Sequence, residues 1–533
     1  MPIATLCLVA SLSLQVAQGT DVLMRHNDGF RTGWNRTEAI LTPTSVASQK
    51  FRLLFTLPAQ GHIYAQPLVV SGVQFVGSTQ PIVRDLCLIA TAHNSVYCYD
   101  TRPAVPELVW ERSLGPSVPW EDVGSQDVHP EIGIIATPVI DRATMSVWIT
   151  AKTKELGGAG DPVYRTRLHR LDLRTGVERP NSPVELQGDI EGTAPDAVEG
   201  RVYFNPLTQM NRPGLLIHDN VVYVAFGGHG DNDPYHGWVF AYHATKLEKL
   251  AVYCTTPEGD PTSSIPSGAG GIWNGGEGLA CDEDGGVYFS SGNGGFSKDP
   301  SGRQTGNSYG RLVYRDRSFH LSSFFTPVEN DTWNPLDYDL GTSGVLLVPG
   351  TDLALGGGKT QDFFVMRRNA LGGYSASGNL VLQQFNATSN GVVASPAYFD
   401  SPVLGPLVYL GGKGDVIRAY RVFSTGLEAA PASVGKIVGP WPGSGLSVSS
   451  NGTDGGVLWA IQRRPDWNAV LRAFDANDLA REIWNSDLRA SDEAGAYVKF
   501  NVPTVANGLV FVATRGQGVK VYGIRPQLRG NQD

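Results

Sequence analysis

The densest chemistry in this sequence lies in one loop, Gly227-Gly228-His229-Gly230-Asp231-Asn232-Asp233-Pro234-Tyr235-His236-Gly237-Trp238. Imidazoles titrate near neutral pH and ligate metals, and a carboxylate beside one can orient it for proton transfer. Glycines let the backbone approach a ligand closely. His229, Asp231 and His236 are therefore candidate catalytic residues. The structural alternative is a glycine-rich turn whose Asp and Asn side chains cap their own backbone.

Smaller groupings follow. His26-Asn27-Asp28 with Arg31 precedes the first strand. It reads either as a segment across a site mouth or as a plug that seals the core. Glu131 and His129, like Gln66, stand just before short β-rich runs, and Glu131 joins the candidate catalytic set. Lys152 and Lys359 follow β-rich runs and read as channel cations or as ordinary solvated lysines. Asp282-Glu283-Asp284-Gly285-Gly286 resembles a calcium loop without its distal Glu, so a hairpin turn is the better reading. There is no His-Glu-x-x-His motif or phosphate loop.

The elements that must position these groups come from a repeated phrase. A β-rich run, a turn and a second β-rich run recur, as in 86–100, 407–420 and 509–522, with related phrases near Val147, Val221, Val287, Leu353 and Val457. Short-strand units repeating about every 50 residues mean radial repetition. The expected fold is all-β, an eight-bladed β-propeller over 51–526. Its eighth blade lacks an outer strand near the C-terminus. Arg52-Leu53-Leu54-Phe55-Thr56-Leu57 resembles the outer-strand phrase Leu108-Val109-Trp110-Glu111-Arg112 and is expected to close the ring. Trp110 and Trp484 are expected to pack against neighbouring blades. Residues 20–50 form an N-terminal segment on the propeller, and 527–533 a polar tail. His229, Asp231 and His236 are expected at the same end of the channel as Glu131 and His26, lining one polar pocket.

Composition agrees: 64 Gly and 34 Pro are turn-rich, and 41% hydrophobic residues supply a large core. A net charge of −9 with no Lys/Arg cluster argues against nucleic acid or an anionic membrane as partner. The ligand is expected to be a small molecule or a glycan, bound by a monomer. The run from Ile3 to Leu14 is too short to span a bilayer and ends in Ala17-Gln18-Gly19, so 1–19 reads as a secretory signal peptide. No later segment spans a membrane. Sequons at Asn35, Asn330, Asn386 and Asn451 suit a glycosylated, secreted protein. Beyond the leader, Cys87, Cys98, Cys254 and Cys281 are even in number and are disulfide candidates, or else small buried hydrophobes. A turn centred on His93-Asn94 would put Cys87 and Cys98 on one face of a hairpin.

The phrases "HNDGFRTGWN" at 26–35, "YAQPL" at 64–68, "EIGIIATPVID" at 131–141, "GGHGDNDPYHGWVFAY" at 227–242, "GGIWNGGEGLACDEDGGVYFSSGNGGF" at 270–296 and "DLGTSGVLLVPG" at 339–350 carry a resemblance. They are similar to secreted bacterial and fungal propellers of the pyrroloquinoline quinone (PQQ)-like, quinoprotein alcohol dehydrogenase-like family. The family also holds assembly scaffolds, so its fold does not fix a function. What the resemblance implies is a quinone over the axis against a tryptophan, with Ca²⁺ held by Glu, Asn and Asp, and an aspartate that takes the substrate hydroxyl proton. Candidates here are Trp238, Trp273, Asn293 and Asp339 as cofactor-binding residues, with Glu131 and Asp337 in the acidic inventory. The vicinal cysteine pair of many such dehydrogenases is missing. Three functions stay open: an oxidoreductase on an alcohol or sugar using PQQ and Ca²⁺, a cofactor-independent lyase, hydrolase or cyclase, and a non-catalytic binding propeller.

Overall fold

A computed structural model describes residues 20–76, 80–258, 268–298 and 303–524. The expected signal peptide 1–19 and polar tail 527–533 lie outside the described residues.

Eight antiparallel sheets are arranged as the blades of a propeller. Blade one is Leu68–Phe75, Ile82–Ala90, Ser95–Asp100 and Glu107–Ser113. Blade two is Val139–Asp141, Ser146–Leu156, Pro162–Asp172 and Val184–Glu185. Blade three runs from Leu216–His218 through Val221–Gly228 and Trp238–His243 to Lys249–Cys254. Blade four is Ala280–Cys281, Gly286–Ser290, Tyr309–Arg315 and Ser318–Phe325. Its inner strand follows a glycine-rich crossover over 268–279.

Blade five is Leu346–Leu347, Leu353–Gly357, Asp362–Arg367 and Gln383–Asn386. Blade six is Ala397–Ser401, Gly405–Gly411, Asp415–Phe423 and Ser433–Gly439. Blade seven is Gly445–Asn451, Asp454–Arg463, Ala469–Asp475 and Asp478–Asn485. Blade eight is Thr504–Ala506, Leu509–Ala513 and Val519–Ile524, completed by Phe51–Leu57. Phe55 pairs with Val521 and Phe51 with Ile524, so the ring closes as expected. Phe51 is fully buried, edge-on to Trp484 with centroids 4.8 Å apart. Burying such a ring contributes about 1.5–3 kcal/mol to closure. Trp110 reaches the next blade, its Nε1 donating to the Leu173 carbonyl at 2.9 Å.

Residues 22–35 run around the inside of the ring as a plug. Their backbone bonds Val69 of blade one, Ile140 of two, Cys281 of four, Leu347 of five, Tyr398 of six and Val448 of seven. Arg31 adds bonds to the Leu279 carbonyl, and Asn35 Nδ2 donates to Val505 of blade eight. Edge groups of the short inner strands are thus satisfied inside the channel rather than by water.

Two groups of sequence expectations need correction. The four cysteines are free and buried. Leu88 pairs with Cys98 and Cys87 with Tyr99, one residue off the assumed register, so Cys87 and Cys98 point to opposite faces. Cys254 and Cys281 lie in separate hydrophobic clusters. Among the sequons, Asn35 and Asn330 are 5% and 0% exposed and hydrogen-bonded, which leaves no room for a glycan. Asn386 and Asn451 are exposed.

Candidate active site at the axial mouth

In a four-stranded antiparallel blade, the end of the second strand and the end of the fourth lie at the same edge of the ring. The turns after second strands and the crossovers between blades therefore gather at one mouth of the channel. A cavity of about 360 Å³ sits there. Its walls come from those connections: Asp231, Lys359 and Lys413 from turns, and Arg212, Trp273, Asp339 and Lys499 among others from crossovers.

Trp273 lies on a seat of glycines. A Cβ added at Gly227 would come within 2.6 Å of its Nε1, one at Gly271 within 2.7 Å of its ring, and one at Gly292 within 2.4 Å. No side chain but hydrogen fits at those positions without moving the indole. Trp273 Nε1 donates to the Gly228 carbonyl at 2.8 Å, which fixes the ring. The same Gly292 Cβ would stand 2.6 Å from Asp339 Oδ1, so the indole and this carboxylate are neighbours.

Asp339 accepts from the Asn293 backbone N–H at 2.7 Å and pairs with Lys359 Nζ at 2.6 Å. Lys359 also pairs with Asp337 at 2.6 Å, and Asn293 Nδ2 donates to Asp337 at 3.0 Å. Burial raises the Asp339 pKa to about 6; the Lys359 charge opposes the rise and Asp337 adds to it. A carboxylate that titrates there is poised as a general base near neutral pH. Asn293 Oδ1 is buried without a hydrogen-bond partner.

The other wall is cationic. Arg212 is 6% exposed, its Nη2 donates to the Lys499 carbonyl, and its guanidinium lies 5.2 Å from the Tyr64 ring centroid and 5.7 Å from that of Phe500. Burial lowers its pKa to about 10. Among the described residues, neither Arg212 nor Lys413 has a carboxylate within ion-pair distance. Lys499 is 3.5 Å from Asp127. A buried guanidinium without a counterion is costly, and an anionic ligand would offset that cost.

Of the residues singled out in the sequence, Asp231, Trp273, Asp337, Asp339 and Lys359 line this cavity and Asn293 braces Asp339. The others go elsewhere, which corrects the expectation of one shared pocket. His229 is 3% exposed, with Nε2 2.7 Å from Lys152 Nζ, and burial together with Lys152 pushes its pKa far down. His236 is bound between Asp196 at 3.1 Å and Thr256 at 2.9 Å. Burial works against its charge, but Cys254 and Asp196 outweigh it, and the pKa rises to about 10. Trp238 is fully buried in the core of blade three, stacked on Phe240. Glu131 is tied to His93 and Ser117 outside the cavity.

His26 is fully buried in the plug beneath the cavity. Its Nδ1 is 3.2 Å from Glu277, which also faces Arg25 at 3.8 Å. Arg25 Nη2 donates to the carbonyl of Phe500, a cavity-lining residue, so the plug forms the underside of the site. The sealing role is the one this geometry supports. Lys359 pairs with Asp337 and Asp339 in the cavity, whereas Lys152 is sealed away. Arg212, Lys413 and Lys499 were not found from the sequence. Their signal was positional: each sits on a blade crossover or on a turn after a second strand.

No family model and no curated protein sequence matches this chain. Solved structures do. The quinohemoprotein alcohol dehydrogenase ADHIIG of Pseudomonas putida HK5 aligns with a TM-score of 0.59 at 15% identity, over 95% of this chain and 80% of its own. The quinohemoprotein alcohol dehydrogenase of Comamonas testosteroni gives 0.59 at 14%, with the same coverages. A europium-containing methanol dehydrogenase gives 0.57 at 13%, over 95% and 98%. The chain shares the propeller fold of these quinoproteins. At such identities the likeness extends to the fold alone.

The residues can be tested against the cofactor this fold suggests. A planar, tricarboxylic quinone suits the glycine-seated Trp273, the unpaired Arg212 and Lys413, and the free Asn293 Oδ1. Ca²⁺ does not suit the site. Asp337 and Asp339 are both held by the Lys359 ammonium, Glu131 is elsewhere, and among the described residues no group of three acids, histidines or cysteines is placed to hold a metal ion.

Proposed function

We propose that the protein is an oxidoreductase acting on an alcohol or sugar with a quinone at the axial mouth. The observation that carries this reading is Asp339, a buried carboxylate with its pKa raised to about 6, beside Trp273 in the axial cavity. A bound quinone would supply the electron acceptor for the carbinol hydrogen. Trp273 would hold its ring, and Arg212, Lys413 and Lys499 its carboxylates. Asp339 takes the hydroxyl proton of the substrate at its carboxylate. Lys359 holds that carboxylate in place, and Asn293 orients it through its backbone N–H. Export through a secretory pathway belongs to the proposal, on the strength of the apolar run from Ile3 to Leu14 and the exposed sequons Asn386 and Asn451.

The test is titration of the purified protein with PQQ, followed by dye reduction with a panel of alcohols and sugars. Quinone binding should weaken at least about tenfold in Trp273→Ala. Asp339→Asn should keep binding and lose turnover. Absence of quinone binding, or full turnover in Asp339→Asn, overturns the reading.

A second reading is favoured by the Asp339–Lys359 pair itself, which needs no metal to set its charge. The same site would then perform acid–base chemistry as a lyase, hydrolase or cyclase. Turnover without added quinone distinguishes it.

A further inference from the structure

Seven of the eleven tryptophans are no more than 9% exposed. Trp441 and Trp467 are 40% and 51% exposed, and both stand on the rim of the axial mouth. Trp441 lies on the crossover from blade six to seven and lines the cavity. Trp467 lies in the turn after the second strand of blade seven. That turn is closed by Arg464 N–H to the Asn468 carbonyl at 2.7 Å and Trp467 N–H to the Arg464 carbonyl at 3.0 Å. Trp467 adopts φ 65°, a left-handed conformation that bulky residues rarely take. The backbone thus holds a large apolar ring out in water, at a cost in strain, where nothing in the fold requires it.

Arg463 joins the two rings. Its Nε donates to the Trp441 carbonyl at 3.1 Å, and its guanidinium lies 4.5 Å from the Trp467 centroid. Arg515, from the matching turn of blade eight, lies 5.9 Å from the same ring. Lys499 stands 4.6 Å from the Trp441 ring. Arg464, by contrast, is paired with Asp466 and Asp487. Among the described residues neither Arg463 nor Arg515 has a carboxylate within ion-pair distance, although the chain carries a net charge of −9. Stacking on an indole keeps a guanidinium charged; Arg463 Nη1 donates to the Arg464 carbonyl at 3.2 Å, so its Nη2 is the nitrogen left to meet a ligand.

We propose that this rim is a binding track for an acidic oligosaccharide, a uronate chain, whose end residue enters the cavity. A pyranose ring offers an apolar C–H face to an indole, and its carboxylate matches the fork of an arginine. The assignment rests on the oxidoreductase reading for one point, that the track ends at chemistry on a hydroxyl. A saccharide acid carries hydroxyl and carboxylate together, which an acidic peptide does not do along its chain.

The test is calorimetric titration of the full chain, without added quinone, with trigalacturonate, galacturonate, cellotriose and hexaglutamate. Trigalacturonate should bind at least about tenfold more tightly than cellotriose or hexaglutamate, and more weakly as NaCl is raised. Trp467→Ala and Arg463→Gln should each lower its affinity about tenfold, and leave galacturonate within about twofold. Unchanged melting shows that the variants fold. Equal binding of cellotriose, equal or tighter binding of hexaglutamate, or wild-type affinity in both variants overturns the track. No quinone enters this titration, so a failed oxidoreductase reading leaves its result standing. Quinone-dependent turnover of small alcohols without oligouronate binding removes only the track.

Discussion

Replacing Asp339 with Asn should move activity and stability in opposite directions. The carboxyl has an ordinary pKa of 3.8 and is raised by burial to about 6. An acid raised in this way stabilises the fold fully below its unfolded pKa, and that contribution is lost as pH rises through the folded one. The shift of about 2 units corresponds to about 3 kcal/mol, which the native state forgoes at neutral pH. Asparagine is nearly isosteric and has no charge to desolvate. It keeps the acceptor for the Asn293 N–H, while Lys359 retains Asp337. The variant should therefore melt up to about 3 °C higher at neutral pH, given about 2.1 cal/mol/K of unfolding entropy per residue. The gain should vanish as pH falls from about 6 to about 4. Loss of a general base should lower turnover about 10²–10⁴-fold, and the wild-type rate should fall below about pH 6. Scanning calorimetry across pH and steady-state rates provide the assay. A variant that is less stable at neutral pH and retains full turnover would refute both the desolvation argument and the assignment of the base.

Glu277→Gln should destabilise the chain by about 3–5 kcal/mol in denaturant titration, because Arg25 and Arg31 stay buried near it. Burial works against the charge of Glu277, but His26, Arg25 and Arg31 together hold its pKa at about 2, so its stabilisation is present above about 4.5 and fades as pH falls toward 2. Lys152 is pushed by burial to about 7, so stability should rise between about pH 7 and 10, and Lys152→Met should flatten that slope in pH-dependent melting. Expression in a glycosylating host should place glycans on Asn386 and Asn451 but not on Asn35 or Asn330, as read by peptide mass spectrometry. A reductant should leave the melting temperature unchanged, since all four described cysteines are free.

Much of the propeller was legible in the chain because its strands are local. Runs such as Leu407-Val408-Tyr409-Leu410 carry their own β pattern and turn residues, and repetition multiplies the signal. Ring closure by Phe51–Leu57 was legible too, since a ring that lacks one outer strand must find it elsewhere in the chain. Trp273, Asn293 and Asp339 came from a resemblance, and the fold brings them together. The histidine loop misled because residue type does not report burial. His229 and His236 are chemically versatile, yet their backbone turns them into the protein, where Lys152 and Asp196 hold them.

The sequence by itself determined the blades, their number and the partner of the open blade, because hydrophobic alternation and turn chemistry act over a few residues. Only the tertiary structure decided which polar groups face the axis. Arg212, Lys359, Lys413 and Lys499 come from four separate crossovers and turns spread over 288 residue numbers, and only closure of the ring makes them neighbours. Register had the same standing: one residue of shift in the hairpin at His93 put Cys87 and Cys98 on opposite faces. The pKa of Asp339 likewise belongs to the assembled mouth, since burial and the nearby charges of Lys359 and Asp337 exist only once the blades have met.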